Sequence, residues 1–248
     1  MHSPRAMLSR RIFLSSAAGT LVSSLAARAS AQGEPQKLTY DVSTFGKGRS
    51  NGWLPEFSDF SLATASTNRM AEIRPLPSET NPGGRFGYYL QGRNTSDDLF
   101  MFIKKPVVKL APERMYDVSF YIEFASSAPS NCTGIGGAPG ESVWLKAGAA
   151  TQEPVAVLES GEIRLSVDKG NQGAVGRNAV LMGNIANGLP CNTAGGRFVL
   201  LQRAALLTNP VKADGSGSVW VFVGTDSGFE GTTEIYYAFI AVWFSLRA

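Results

Sequence analysis

The chain has 248 residues, 44% of them hydrophobic, and carries 23 basic against 20 acidic side chains. Its only histidine, His2, precedes a predicted cleavage point, so the mature chain is expected to have no imidazole. This composition excludes Ser-His-Asp and Cys-His catalysis, and it excludes the zinc, copper and non-haem iron sites that need histidine ligands.

The N-terminal segment predicts export. The run Ser9–Leu14 (SRRIFL) is typical of a twin-arginine signal, and a weakly apolar stretch extends over Ile12–Ala27. That stretch is too short and too rich in serine for a membrane span, which needs about 20 apolar residues. The small residues ending at Ala31 predict cleavage there. We therefore predict a signal peptide over 1–31, passage through the twin-arginine export machinery, and a mature protein 32–248 that is periplasmic or secreted.

Loss of the signal changes the charge balance of the chain. Four of the 23 basic residues lie in the first 31 positions and none of the acids does, so the mature chain is close to neutral. A neutral surface gives no reason to expect nucleic acid or an anionic membrane as a partner. The remaining length suits a single domain with a core of its own.

Alternation of apolar and polar residues predicts strands along the mature chain. Asp98–Ile103 is apolar on both faces. Met115–Phe124 and Ile163–Val167 each have one apolar and one polar face, as in antiparallel strands with one side in water. Ser218–Val223 and Thr233–Phe244 are again apolar on both faces, which predicts central strands.

Turn-forming residues separate these strands, and no stretch with helical periodicity follows Gln32. The sequence therefore predicts an all-β chain forming one antiparallel β-sandwich, a jelly roll, without internal repeats. The glycine-rich connections are Asn81–Gly84, Gly134–Gly140, Gly170–Gly176 and Asp214–Gly217.

Two cysteines, Cys132 and Cys191, remain after cleavage. In an oxidising compartment they are expected to form one disulfide, for which the chain-entropy relation gives about 4 kcal/mol. The alternative is two separate buried thiols.

Val107–Phe120 resembles the turn and strand of galactose-binding-like and carbohydrate-binding-module sandwiches. The resemblance implies a turn shaped by Leu110 and Pro112, followed by a strand whose apolar face meets the core. A longer pattern, Gly52-Trp53 with Ser96–Phe102 and Gly224–Thr233, is similar to a family of exported bacterial proteins of unknown function.

Acidic residues cluster at two predicted strand ends. Hard oxygen ligands in such positions are what Ca²⁺ requires. We therefore expect a calcium site that braces the fold. The alternative is that these acids are turn formers that bond their own backbone. The predicted ligands are Asp97, Asp98, Asp226 and Glu230.

Aromatic residues near the start of the mature chain are candidate ligand contacts, because sugar rings stack on exposed aromatic faces. Adjacent tyrosines on a strand point to opposite sides, so at most one of the pair belongs to a one-sided core. The expected ligand-binding residues are Trp53, Phe57, Tyr88 and Tyr89. We expect Trp144, Trp220 and Trp243, which lie inside strong strand patterns, to be core residues.

Three functions remain open. The first is non-catalytic binding of a carbohydrate or cell-envelope polymer. The second is a polysaccharide hydrolase or lyase that uses carboxylates or Tyr, Lys and Arg, although no spacing predicts a catalytic pair. The third is a structural or protein-interaction role, with a partner surface on Ile235–Phe244. The acids available to an enzyme are Glu123, Glu141, Asp168, Glu230 and Glu234.

Overall fold

The computed structural model describes residues 38–64, 68–95, 98–192 and 196–247. The predicted signal 1–31 and the candidate ligand Asp97 lie outside these residues. Within them, no helix has the length and apolar character needed to cross a membrane.

The described chain folds into β-strands joined by loops and short 3₁₀ turns. In chain order the strands are β1 (Leu38–Thr44), β2 (Leu54–Ser58), β3 (Phe60–Ser61), β4 (Arg69–Pro75), β5 (Phe86–Arg93), β6 (Phe100–Val107), β7 (Met115–Ser126), β8 (Val143–Ala150), β9 (Ala156–Glu159), β10 (Glu162–Leu165), β11 (Ala179–Asn184), β12 (Val199–Leu206), β13 (Val211–Lys212), β14 (Val219–Ser227) and β15 (Thr232–Leu246).

Two antiparallel sheets form the sandwich, and this confirms the predicted fold class. The seven-stranded sheet has the order β12-β7-β15-β5-β4, with β1 added to β15 and β13 to β7. The five-stranded sheet has the order β11-β8-β14-β6-β2. The segments predicted to be central are so: β15 and β14 lie in the middle of their sheets, with β6 beside β14.

The long strand β15 changes partner at a bulge. It pairs with β7 on one side along most of its length, and on the other side first with β5 and then with β1. The register shifts between Tyr237 and Phe239, at the point where β5 gives way to β1. The extra residue reverses the alternation of faces, so Tyr237 and Ile240 both point into the core.

The main core fills the space between the two sheets, and its members alternate along the strands with outward-facing residues. The strand that follows the predicted turn behaves as the resemblance implies: Tyr116, Val118 and Phe120 are buried in this core. The hydroxyl of Tyr116 accepts a hydrogen bond of 2.7 Å from the backbone N–H of Ala111 in the turn.

A smaller apolar cluster lies on the outer face of the five-stranded sheet. It consists of Phe100, Phe102, Phe222 and Ala179, and Leu165 and Val167 pack over it. A third sheet, β3-β10-β9, supplies this cover. The outer face of the five-stranded sheet is therefore a second interior, which explains why β6 and β14 are apolar on both sides.

Cys132 and Cys191 form a disulfide, as predicted, so the alternative of two separate thiols is wrong. The bond joins the loop after β7 to the loop after β11. Next to it the backbone N–H of Ser130 donates to the carbonyl oxygen of Leu189 at 2.8 Å.

Candidate functional site

Most of the aromatic residues predicted to bind a ligand are closed to solvent. Trp53 is 1% exposed and Tyr88 is 5% exposed, and both belong to the core between the sheets. Phe57 is half-buried and packs against the same core. The prediction that these rings offer open faces to a sugar is wrong, because all three pack into or against the core between the sheets.

Tyr88 and Tyr89 do point to opposite sides of β5. Tyr89 lies on the outer face of the seven-stranded sheet, yet it is only 2% exposed because the guanidinium of Arg74 covers its ring at 4.1 Å. Burial raises the pKa of Tyr89, and its hydroxyl donates to Glu234 at 2.9 Å. Tyr89 therefore supports the outer face without offering a free ring.

The same outer face carries open aromatic rings further along β15. Trp243 and Phe239 are half-buried there, and so is Tyr121 on β7. Tyr40 on β1 is 67% exposed. We call these four residues, Tyr40, Tyr121, Phe239 and Trp243, the aromatic face.

Strand register brings the aromatic face together. Trp243 pairs with Tyr40 on one side and with Ser119 on the other. Two residues along β15, Ala241 pairs with Tyr121. Side chains two residues apart on one strand share a face, so these pairs form successive rows across the sheet. The rings of Tyr121 and Phe239 meet edge to face, with centroids 6.0 Å apart.

Small side chains flank the rings. Ser119 and Ala241 lie between aromatic neighbours, and Ala204 on β12 stands opposite Tyr121. Short side chains in these positions do not project beyond the neighbouring rings.

An ion pair borders the aromatic face at each end. Arg85 bonds Glu123 at 3.1 Å, and Glu123 pairs with Phe239 in the sheet. At the other end Arg247 bonds Asp117 at 2.9 Å. These groups supply both donors and acceptors beside the rings while keeping the local charge balanced.

The bulge in β15 explains why sequence reasoning placed Trp243 in the core. Before the bulge the odd-numbered residues Ile235 and Tyr237 face inward, whereas after it the even-numbered Val242 and Phe244 do so. An unbroken alternation would put Trp243 inside. The sequence does contain one sign of this outer surface: Ile235–Phe244 is apolar on both faces, and that pattern predicts a partner surface there.

A second constellation lies under the cover of the five-stranded sheet. The carboxylates of Asp59, Asp98 and Asp226 approach to within 4.8 Å of one another. Asp98 and Asp226 were predicted to come together, whereas Asp59 was missed because it follows β2, far away in the sequence. Glu230 is not part of this group; it lies beside Gly136 in the glycine-rich loop.

Two lysines penetrate the acidic group. The Nζ of Lys169 lies 2.6 Å from Asp226 Oδ2 and 3.1 Å from Asp59 Oδ2. The Nζ of Lys146 lies 3.0 Å from Asp226 Oδ2, and the side chains of Lys146 and Asp226 are both fully buried. Arg164 bonds Asp98 at 3.2 Å. Three carboxylates therefore face three cationic side chains.

This arrangement does not fit the predicted calcium site. Ca²⁺ needs six to eight oxygen ligands, and it takes carboxylates that are free to turn toward it. Here the Nζ atoms of Lys146 and Lys169 occupy that position, at 3.0 and 2.6 Å from Asp226 Oδ2. A cation of charge two would have to displace both of them.

Burial shifts the pKa values of the group in different directions. It lowers the pKa of Lys146, with Asp226 opposing the shift. Burial acts in the same direction on Lys169, but Asp226 and Asp59 outweigh it, so the pKa of that lysine is raised. Burial and the neighbouring Asp226 raise the pKa of Asp98 to about 7.

Four of the five acids proposed for an enzyme have structural partners of their own. Glu123 bonds Arg85, and Glu234 accepts from Tyr89. Glu141 accepts from the backbone N–H of Asn131 at 2.9 Å. Asp168 accepts from two backbone N–H groups, which hold its pKa below the usual range. These contacts give each acid a role in holding loops or strands.

No family model matches the chain, and no curated protein matches it. One structure that the chain matches is the enzymatically active domain of tailspike protein 4 of bacteriophage CBA120, with a TM-score of 0.34 and 10% identity; the match covers 79% of this chain and 19% of that one. Another is the K1 cleaved adhesin domain of Lys-gingipain from Porphyromonas gingivalis W83, with a TM-score of 0.39, 8% identity, and coverage of 82% and 97%.

A third similar structure is a carbohydrate-binding module that recognises mannan, with a TM-score of 0.36, 12% identity, and coverage of 86% of this chain and 99% of that one. The present chain spans only about a fifth of the tailspike domain's chain. All three TM-scores are below 0.4.

Proposed function

We propose that the protein binds a neutral polysaccharide across the aromatic face. The observation that carries the proposal is the placement of Trp243 beside Tyr40 on the outer side of the seven-stranded sheet, with small side chains around them. Apolar faces of sugar rings lose water on aromatic rings while their rim hydroxyls keep hydrogen bonds.

The shape of the surface favours a polymer over a single sugar. Small-molecule sites are concave and enclose most of their ligand. The aromatic face is instead the surface of a sheet, and its rings are spread over the adjacent strands β1, β15 and β7. An extended chain can contact several of these rings with successive sugar units.

The charges around the face favour a neutral ligand. Arg85 is paired with Glu123 and Arg247 with Asp117, so the charges balance at each end. Both pairs can exchange hydrogen bonds with hydroxyl groups, because guanidinium groups donate and carboxylates accept. An acidic polysaccharide would need unpaired cationic groups, and the two arginines would become unpaired only if these ion pairs broke.

We also infer that the protein works outside the cytoplasm. The twin-arginine pattern at Ser9–Leu14 supports export, and the charged residues of 32–248 make the mature chain nearly neutral. A polymer of the cell envelope or of the surroundings is then the accessible ligand. The structural partners of the candidate acids support binding without turnover.

A protein partner on the same surface is the second candidate. Leu38 and Val42 on β1 are 58% and 48% exposed, and Leu206 on β12 is 63% exposed. Their side chains widen the apolar area next to Trp243. Exposed apolar patches of this kind also serve protein docking.

Affinity electrophoresis through gels containing glucomannan, xylan, mixed-linkage β-glucan or galactan tests the proposal. We expect at least one polymer to retard the protein, and the variants Trp243→Ala and Tyr40→Ala to lose about tenfold or more in affinity, since burial of one large side chain is worth at least about 1.4 kcal/mol. Circular dichroism of each variant checks that the fold is kept.

Trp220→Ala is the matched control, because Trp220 is also half-buried but belongs to β14 of the other sheet. Its binding should equal that of the unchanged protein. Retardation that is lost in Trp220→Ala and kept in Trp243→Ala would contradict the proposed face. Self-association abolished by Tyr40→Ala, without retention by any polymer, would favour the protein partner.

A further inference from the structure

Lys146 and Asp226 lie on adjacent strands and point to the same side of the five-stranded sheet. In the pairing of β8 with β14, Lys146 stands opposite Gly224, and Asp226 stands opposite Trp144. The two side chains therefore meet diagonally across neighbouring strands. Both are fully buried, and Nζ lies 3.0 Å from Oδ2.

Nζ of Lys146 also donates to the backbone carbonyl oxygens of Lys169 and Ala174, at 2.9 Å each, and an apolar cluster adjoins the pair. The rings of Phe100, Phe102 and Phe222 form the apolar cluster on this face of the sheet. A buried ion pair loses the hydration of both charges, and its mutual attraction often fails to compensate for that loss. Burial lowers the pKa of Lys146, which favours the neutral amine. A neutral buried amine is a nucleophile.

The acid side of the pair has an unsatisfied oxygen. Oδ1 of Asp226 and Oδ1 of Asp98 are both buried without a hydrogen-bond partner among the described residues. Their carboxyl groups face each other within the acidic group. Burial raises the pKa of Asp98, so a proton on that carboxyl group can be donated to Oδ1 of Asp226, which makes Cγ of Asp226 more open to attack by an amine.

We propose that Lys146 and Asp226 become joined by an intramolecular amide bond, with Asp98 relaying the proton. In this reaction Nζ of Lys146 forms a bond to Cγ of Asp226, and one carbon–oxygen bond of the carboxyl group breaks. The starting ammonium and carboxylate contain the atoms of the amide plus one water. Asp98 passes a proton to the departing oxygen, and no oxidant, reductant or cofactor takes part.

The neighbouring Lys169 explains why two lysines are present. Asp226 and Asp59 hold a proton on Lys169 and raise its pKa, so it stays an ammonium group. After the reaction it still has Asp59 at 3.1 Å as its counter-ion. Lys146 is assigned as the reacting lysine because, among the described residues, Asp226 is its one carboxylate partner, whereas Lys169 also pairs with Asp59.

Intact-mass spectrometry of the purified full chain, denatured and with its disulfide reduced, tests the proposal. We expect a mass one water below that of the sequence. Trypsin should fail to cleave after Lys146 and should release peptide 115–164 covalently attached to peptide 213–247. A mass equal to that of the sequence, with normal cleavage after Lys146, would overturn the proposal even if no variant folds.

Variants assign the roles. Lys146→Arg should restore the full mass. Lys104→Arg is the matched control and should keep the deficit, because Lys104 is also buried on this face and pairs with Glu56 and Glu153, yet lies outside the group of Asp59, Asp98 and Asp226. Asp98→Asn should leave a mixture of linked and unlinked chains. A deficit that survives in Lys146→Arg and disappears in Lys169→Arg would overturn the choice of lysine, and complete linkage in Asp98→Asn would overturn the relay.

Discussion

Gly148 positions the aromatic cluster that surrounds the buried charges. It lies on β8 opposite Phe222 of β14, and a Cβ atom at this position would overlap the ring of Phe222 and the carbonyl oxygen of Asn178. The missing side chain therefore lets the phenylalanine lie flat on the sheet, beneath the covering segment.

Gly148→Ala should lower the free energy of unfolding by about 1–3 kcal/mol, the usual cost of forcing extra volume into a packed interior. Gly83→Ala is the control, since a Cβ there meets nothing within 4 Å. Denaturant unfolding of both variants measures the difference. Equal stability of the two would mean that the cover over β8 is looser than the contacts of Gly148 imply.

At the level of single residues, the sequence predicted which functional groups are present better than it predicted where they lie in the fold. Tyr88 and Tyr89 do face opposite ways, because successive side chains on a strand must. Their exposure depends on distant residues, such as Arg74 over Tyr89, and local sequence does not contain that information. The proximity of Asp59 to Asp226 could not be predicted for the same reason, since local sequence does not show which distant residues meet.

Strands are the level at which the sequence was most informative. Segments apolar on both faces became β6, β14 and β15. Strands β6 and β14 are covered on both sides, whereas β15 carries the aromatic face on its outer side. The bulge in β15 was not predictable from alternation, since one extra residue after Tyr237 exchanges the two faces of the following half-strand. Trp243 reached the outer face through that exchange.

The disulfide connects two long loops and should stabilise the fold without creating it. Cys132 and Cys191 are 59 residues apart, and a cross-link of this span removes unfolded-chain entropy worth about 4 kcal/mol. Replacing both by serine should lower the free energy of unfolding by about 2–4 kcal/mol while the circular dichroism spectrum stays that of a β-sandwich. An unfolded double variant would show that the bridge is required for folding.

At the scale of the whole molecule, the outer faces of the two sheets differ in their exposure to solvent. The face of the five-stranded sheet is covered by β9 and β10 and encloses the lysines and aspartates, whereas the face of the seven-stranded sheet keeps its rings open. Composition and alternation predicted a sandwich. They did not predict which face would be covered, because that depends on how the connections cross the sheets.

The proposed export by the twin-arginine route makes a prediction for the full chain. Changing Arg10 and Arg11 to lysine should keep the protein in the cytoplasm, because the paired arginines are the part of the signal that identifies the route. Cell fractionation followed by immunoblotting measures the distribution. Unchanged appearance of the double variant outside the cytoplasm would contradict the predicted signal.

The four tryptophans allow one direct measurement of the binding proposal. Trp53 lies in the core, Trp144 and Trp220 belong to the five-stranded sheet, and Trp243 belongs to the aromatic face. Indole N–H resonances of the labelled protein would be followed by NMR during titration with the β-1,4-linked hexasaccharides of glucose, mannose and xylose. We expect a binding sugar to shift the Trp243 signal and to leave the Trp53 signal in place. Shifts confined to Trp144 or Trp220, or no shift with any of the three sugars, would contradict binding at the aromatic face.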